Sequence, residues 1–362
     1  MRASIAAAVL ILAAGCAAAT GAAAQDQPAR LKIGFVYIGS VGDFGWTYQH
    51  DQARKAIVKE FGDRVETTSL ENVSAGPAAE RSIEQLARAG NRLIFSTSVD
   101  YMEPTIKVAK KYPDVRFELA TGTRREANVA TYSGRFYEGR TIEGTIAAKM
   151  SKKGVIGYVG SFPVPEVISD INATMLAARK INPAIRIRIV WVGSWFNPGK
   201  EADAAKALLD QGADVIMQST DSAAAMQVAN ERGALAFAQN ADMIKLGPKA
   251  QLTGIVADWT PYYLARVRAV FANEWKSGAT WGGLKDRMIL MAPYTNMPED
   301  VKKLAAETEA GIIDGNIKPF ACPIRDQDGK DIECKGGDRL DDSQILGMNF
   351  FVEGIDDKVP GK

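Results

Sequence analysis

A single histidine, His50, serves the whole 362-residue chain, and that scarcity removes several chemistries at once. A Ser-His-Asp triad would have to be built on His50 alone, and no Cys/His cluster has the spacing of a metal site. His50 lies four residues after Trp46, in a helix expected to begin near the end of the first strand, so a surface or rim position is expected for it. Gly39, Gly42 and Gly45 lack the G-x-G-x-x-G spacing and no Lys-Ser/Thr follows them, so no nucleotide cofactor is expected. The charge balance of 44 basic against 43 acidic residues leaves a net +1 and no basic stripe for a nucleic-acid backbone. Past the first residues, no run approaches the ~18 to 20 apolar residues that span a bilayer. No catalytic constellation, cofactor or metal site is expected.

The opening MRASIAAAVLILAAGCAAATGAAAQ has an early charge at Arg2, an apolar stretch and an Ala-x-Ala run before Gln25. It has the form of a secretory signal peptide over residues 1–24, cleaved after Ala24. The alternative is a lipoprotein box at Ala13-Ala14-Gly15-Cys16, with Cys16 carrying lipid. Both readings place the mature chain in the periplasm. Cysteine is also scarce, at three residues: processing leaves Cys322 and Cys334, twelve positions apart around the turn-rich Asp326-Gln327-Asp328-Gly329. In an oxidising compartment they are expected to form one disulfide.

What the chain has in abundance is alternation. Short apolar runs (LKIGFVYI, RLIFSTS, VRFELAT, GVIGYVG, IRIVWVG, DVIMQST, ALAFAQN, RMILMAP) alternate with helical stretches such as Ala78 to Ala89, Tyr137 to Met150, Lys200 to Leu209, Ser222 to Glu231 and Tyr262 to Lys276. This predicts an α/β fold of two lobes, each a doubly wound, mostly parallel sheet, with a cleft between them. The ~338 residues left after processing suit two such units. An internal repeat supports this, because LARAGNRLIFSTSVD and LLDQGADVIMQSTD share helix end, Gly turn, apolar strand, Ser/Thr and Asp in the same order. Lobe 1 is expected over 31–134 plus about 257–282, and lobe 2 over 135–256 plus about 283–345. Segment 311–340 reads as a loop-rich appendage stapled by its Cys pair, and 346–362 as a C-terminal segment.

In such sheets ligands bind beyond the carboxyl ends of the strands. Aromatics accumulate there: Phe44, Trp46 and Tyr48 after the first strand, Phe162 after GYVGS, Trp195 and Phe196 after IVWVGS, and Trp259 after GIVAD. Trp46 and Trp195 occupy corresponding loops of the two halves and are expected to stack on the two faces of a planar ligand. Asp100, Asp221, Asn240 and Asp258 also follow apolar strands and are the expected readers of the ring edges. Carboxylates accept from ring N–H or amino groups, and Asn pairs in two-point fashion with the N6/N7 edge of adenine. An Asp at such a place also commonly caps the next helix.

These segments, with GFVYIGSVGDFGWTYQHDQAR, STSVDYMEP, FYEGRTIEGTIAAKMSKKGVIGYVGSFPVPEV, GSWFNPGKEADAAKALLDQGADVIMQSTD and FAQNADM, make the chain resemble the basic membrane protein (BMP) family of ABC-transporter substrate-binding proteins. The resemblance covers nearly all of the mature chain and implies a type I periplasmic binding fold and a permease partner. Family members take up purine nucleosides, holding the base between two aromatics. Trp46 and Trp195 fall where that family has stacking Phe residues, and Asp100 and Asp221 match its strand-end polar positions. Asn240 replaces an Asp, Thr47 stands where an Asn is usual, and Ala257-Asp258-Trp259 replaces an expected lysine. These departures bear on the ribose contacts and favour a free nucleobase such as adenine, captured by hinge closure of a monomer. A nucleoside or another planar aromatic solute is the alternative ligand, and a sensory receptor for such a solute is the alternative role.

Overall fold

A computed structural model describes residues 30–361; the signal-peptide and Cys16 readings lie outside the described residues. The chain opens with β1 (Leu31–Val36), α1 (Trp46–Phe61), β2 (Val65–Leu70), α2 (Pro77–Arg88), β3 (Leu93–Ser96), α3 (Met102–Lys111), β4 (Arg116–Ala120) and β5 (Val129–Gly134). It continues with α4 (Phe136–Met150), β6 (Val155–Gly160), α5 (Pro165–Ile181), β7 (Arg186–Trp191), α6 (Pro198–Asp210), β8 (Val215–Gln218), α7 (Ala224–Glu231), β9 (Leu235–Ala238) and β10 (Gln251–Ala257). The last elements are α8 (Thr260–Phe271), β11 (Ala279–Gly282), β12 (Ile289–Met291), α9 (Glu299–Ile313) and α10 (Asp342–Leu346).

Two six-stranded sheets result, ordered β11-β5-β4-β3-β1-β2 and β12-β10-β9-β8-β6-β7. All neighbours in the first run parallel, and in the second only β12 runs antiparallel, against β10. The α/β reading of the sequence holds. The central strands β3 and β8 are buried along their whole length, whereas the edge strands β2 and β7 leave residues exposed, as a sheet covered by helices on both faces requires. The chain passes between the sheets after Gly134, again between Ala257 and Ala279, and a last time between Gly282 and Ile289. Helix α4, which follows the first passage, packs against α5 so closely that a Cβ at Gly144 would lie 2.4 Å from the Thr174 carbonyl oxygen. Only glycine fits there.

The structure differs from the sequence reading where the signal is weak. Strand β2 is VETTSL, a polar sequence on a sheet edge, and β11 is four residues long; neither has an apolar run to mark it. Helix α8 ends at Phe271 instead of reaching Lys276, because Asn273 takes the left-handed conformation (φ 56°) that stops a helix. Cys322 and Cys334 are disulfide-bonded. The loop-rich segment that they staple also packs inward: Phe320, Ile324 and Leu340 are buried in the main core. The C-terminal residues dock too, with Asn172 of α5 donating to the Phe350 carbonyl at 2.8 Å and accepting from the Val352 amide at 3.0 Å.

Candidate functional site

The carboxyl ends of both sheets converge on a cavity of about 590 Å³. From the first sheet it receives Trp46 at the start of α1, Ser98 and Val99 after β3, Thr121 and Gly122 after β4, and Tyr132 to Gly134 of β5. From the second come Val164 to Glu166 before and at the start of α5, Trp195 after β7, Asp221 after β8, and Gln239 and Asn240 after β9. Phe136, Tyr137 and the end of α10 complete the wall.

Trp46 is positioned by the turn preceding its helix. Asp43 accepts from the amides of Gly45 (2.8 Å), Thr47 (3.1 Å) and Tyr48 (3.0 Å), satisfying the first turn of α1 although Gly45 stands at the N-cap. The Trp46 indole N–H donates to the Thr97 carbonyl at 2.6 Å. Behind it lies an aromatic box in which Trp46 meets His50 edge-on at 4.7 Å and Trp259 at 5.3 Å, while His50 and Trp259 are stacked at 5.0 Å. His50 is therefore not on the surface: it is fully buried, with Nδ1 2.6 Å from the Tyr263 hydroxyl. The packing of α8 against α1 encloses it, and burial pushes its pKa well below the ordinary histidine value.

On the facing wall, Trp195 sits on a loop tied down by Glu201. That buried carboxylate accepts from the Asn197 amide at 2.8 Å and from the Ser222 hydroxyl at 2.5 Å, linking the Trp195 loop to the Asp221 loop. The Asp221 amide also donates to the Trp195 carbonyl at 2.9 Å. Asp221 accepts from the Asn240 side-chain amide at 3.0 Å, and Asn240 holds a left-handed backbone at φ 64°. Burial raises the Asp221 pKa well above the usual carboxylate range, and the nearby Asp43, Glu201 and Glu166 charges raise it further. Behind this wall the buried Arg140 is held by Glu143 (2.7 Å) and Asp170 (3.2 Å), and donates to the Gln218 carbonyl (2.6 Å) and to the Gln239 side chain, fixing the ends of β8 and β9.

The two rims touch. The Trp195 indole N–H donates to the Asp100 carboxylate at 3.2 Å, and a Cβ at Gly45 would lie 2.1 Å from the Asp221 carbonyl oxygen.

The cavity thus brings together Trp46, Trp195, Asp221 and Asn240. The other strand-end residues lie elsewhere. Asp100 is exposed and meets Trp195 at the rim. Asp258 accepts from the Thr260 amide at 3.0 Å and starts α8. Trp259 is fully buried behind Trp46, and Phe162 packs on Trp195 at 5.3 Å. Phe44, 47% exposed, stacks on Tyr48 outside the cavity. Reasoning from strand ends alone passed over Phe136, Tyr132, Ser133 and Glu166. Glu166 carries a legible signal, since it follows Pro165 directly after the β6 loop, in the position of a first-turn acid.

Residues 30–319 match the family described as PnrA-like ABC transporter substrate-binding proteins. The chain is 59% identical over 340 residues to a purine-binding protein of Brucella abortus, covering 94% of this chain and 96% of that relative. It is 36% identical over 327 residues to a putative ABC transporter glucose-binding protein of Haloferax volcanii, covering 90% and 80% respectively. Among solved structures it resembles ABC-transporter solute-binding proteins of Aeropyrum pernix (TM-score 0.69, 19% identity, covering 81% of this chain and 94% of that one) and Conexibacter woesei (TM-score 0.65, 21% identity, covering 80% and 98%). At such identity these share the fold alone. Among the described residues no helix is long and apolar enough to cross a membrane. The chain belongs to the PnrA-like family of extracytoplasmic, non-enzymatic substrate-binding proteins that deliver small molecules to ABC transporters.

Proposed function

We propose that this receptor captures a free purine base, adenine above all, between Trp46 and Trp195, and presents it to the permease of an importer after its two lobes close. The observation that carries this reading is one cavity lined by an indole from each sheet, with Asp221 and Asn240 beside them. Stacking on two aromatic faces suits a flat ring of either purine class. The carboxyl and amide then supply the contacts that tell amino from oxo edges, since a mismatched ring leaves a buried polar group unpaired. The purine-binding relative supports the ligand class. The rim contacts at Asp100 and Gly45 support closure.

A sugar is the second reading, favoured by the relative named for glucose, because a pyranose also lies flat on an indole. Thermal-shift measurements with adenine, hypoxanthine, guanine, adenosine, inosine and glucose decide between them. Adenine giving the largest shift supports the proposal, and glucose or a nucleoside giving it replaces the ligand. Small-angle scattering with the best ligand reads closure as a fall in radius of gyration; an unchanged radius removes the hinge mechanism.

A further inference from the structure

Besides hydroxyl groups and the exposed Arg125, few donors line this cavity. A purine presents N–H groups, which Asp221 and the Asn240 carbonyl oxygen suit, and bare ring nitrogens, which need an N–H or O–H facing them. Yet one of the two Asn240 amide N–H groups is given to Asp221, the Trp46 N–H to Thr97 and the Trp195 N–H to Asp100. The clamp residues have little left to donate.

Glu166 lines the same cavity as the second residue of α5. Its Oε2 accepts from the Ser133 hydroxyl at 3.3 Å, from the end of β5 in the opposite sheet. Arg140 on α4, the guanidinium whose field reaches it, is engaged by Glu143 and Asp170. Asp170 lies one turn further along α5, and Asp221 faces the same space from the end of β8. Arg125, exposed on the loop after β4, also lines the cavity, but among the described residues no ion pair joins a cation to Glu166, which stands as an acid among acids. We infer that Glu166 enters the complex as a carboxylic acid and donates a hydrogen bond to a bare ring nitrogen of the ligand, so that it selects for an acceptor atom and not for positive charge. The inference rests on the purine reading.

The surroundings agree with a retained proton. Burial, then the Asp170 charge, push the Glu166 carboxyl up to about 8, against the opposing effects of Ser133 and Arg140. In a cleft open to water the group returns towards the ordinary value of about 4.3. Closure then takes up a proton between those values, so affinity falls as the pH rises through that window, by up to about tenfold per unit, and levels off above it.

Calorimetry of wild type, Glu166→Gln and Glu166→Ala with adenine, 3-deazaadenine and 7-deazaadenine, at about pH 6 and about pH 9, tests this. Glutamine keeps a donor, so Glu166→Gln should hold adenine affinity within a few-fold at the lower pH and lose most of the wild type's decline at the higher. Glu166→Ala should bind adenine at least about tenfold more weakly, and should no longer discriminate against the deaza base that wild type rejects. Melting curves confirm that both variants fold. Glu166→Gln as weak as Glu166→Ala, or unchanged deaza discrimination in Glu166→Ala, overturns the inference while leaving the purine reading intact. Wild type that binds none of the three bases sinks the adenine reading, and this inference with it.

Discussion

Replacing Trp195 with alanine separates stacking from folding, because this indole is half-buried at the cavity rim whereas Trp46, 9% exposed, is part of the core. Loss of one stacking face costs ~1 to 3 kcal/mol. Loss of the N–H bond to the exposed Asp100 adds about 0.5 to 1.5 kcal/mol. Together these give a weakening of about 1.5 to 4.5 kcal/mol, roughly tenfold to a thousandfold in Kd, expected for adenine by calorimetry. Trp195→Phe keeps a ring and loses only the bond, so it should weaken binding about fivefold, and Asp100→Ala should match it. Because both remove the same interaction, the double variant should be no worse than either alone. Stability should move little in Trp195→Ala. Trp46→Ala, by contrast, opens a space against His50 and Trp259 and should cost about 3 to 5 kcal/mol of folding free energy as well as affinity. Unchanged adenine affinity in Trp195→Ala refutes the clamp, whatever the melting temperatures show.

Three further outcomes are expected. Gly45→Ala puts a methyl into the Asp221 carbonyl only when the rims meet, so it should weaken binding and blunt ligand-induced compaction in scattering; normal compaction would mean that this contact is not part of closure. Reduction of the Cys322–Cys334 bond, which spans twelve residues, should lower stability by about 2 to 4 kcal/mol, and mass spectrometry of the unreduced protein should find no alkylatable thiol at either position. The depressed pKa of His50 means that the unfolded chain binds the proton the folded chain refuses, so its contribution to stability holds above about pH 6.5 and is lost as the pH falls below it. Denaturant melts of wild type and His50→Gln should diverge at neutral pH and converge in acid; a constant difference between them would show that His50 titrates alike in both states, with no depression on folding.

Much of the architecture is legible in the sequence because its signals are local. Runs such as LIF and VIM, bounded by turn residues, carry the unbroken apolar pattern of a strand covered on both faces. The strand that ends such a run must place its following loop at the mouth of a parallel sheet, which is why Trp46, Trp195, Asp221 and Asn240 could be nominated without coordinates. The cysteine pair is legible for a similar reason, since two cysteines twelve apart around a turn have few other partners. Strands β2 and β11 are not, because an edge strand needs neither an apolar run nor length.

What the sequence by itself determined is which segments reach the cleft; which side chains turn into it was decided by contacts between residues far apart in the chain. Asp258 and Asp221 both follow strands, but Asp258 meets the amide of Thr260 two residues on, while Asp221 meets Asn240 from a neighbouring strand. His50 is buried because α8 packs on α1, with its partner Tyr263 far along the chain. Glu166 stands beside Ser133 because the two sheets face one another. Periodicity records whether a position is apolar, and these three outcomes turn on the relative rotation and approach of whole elements, which only the assembled core sets.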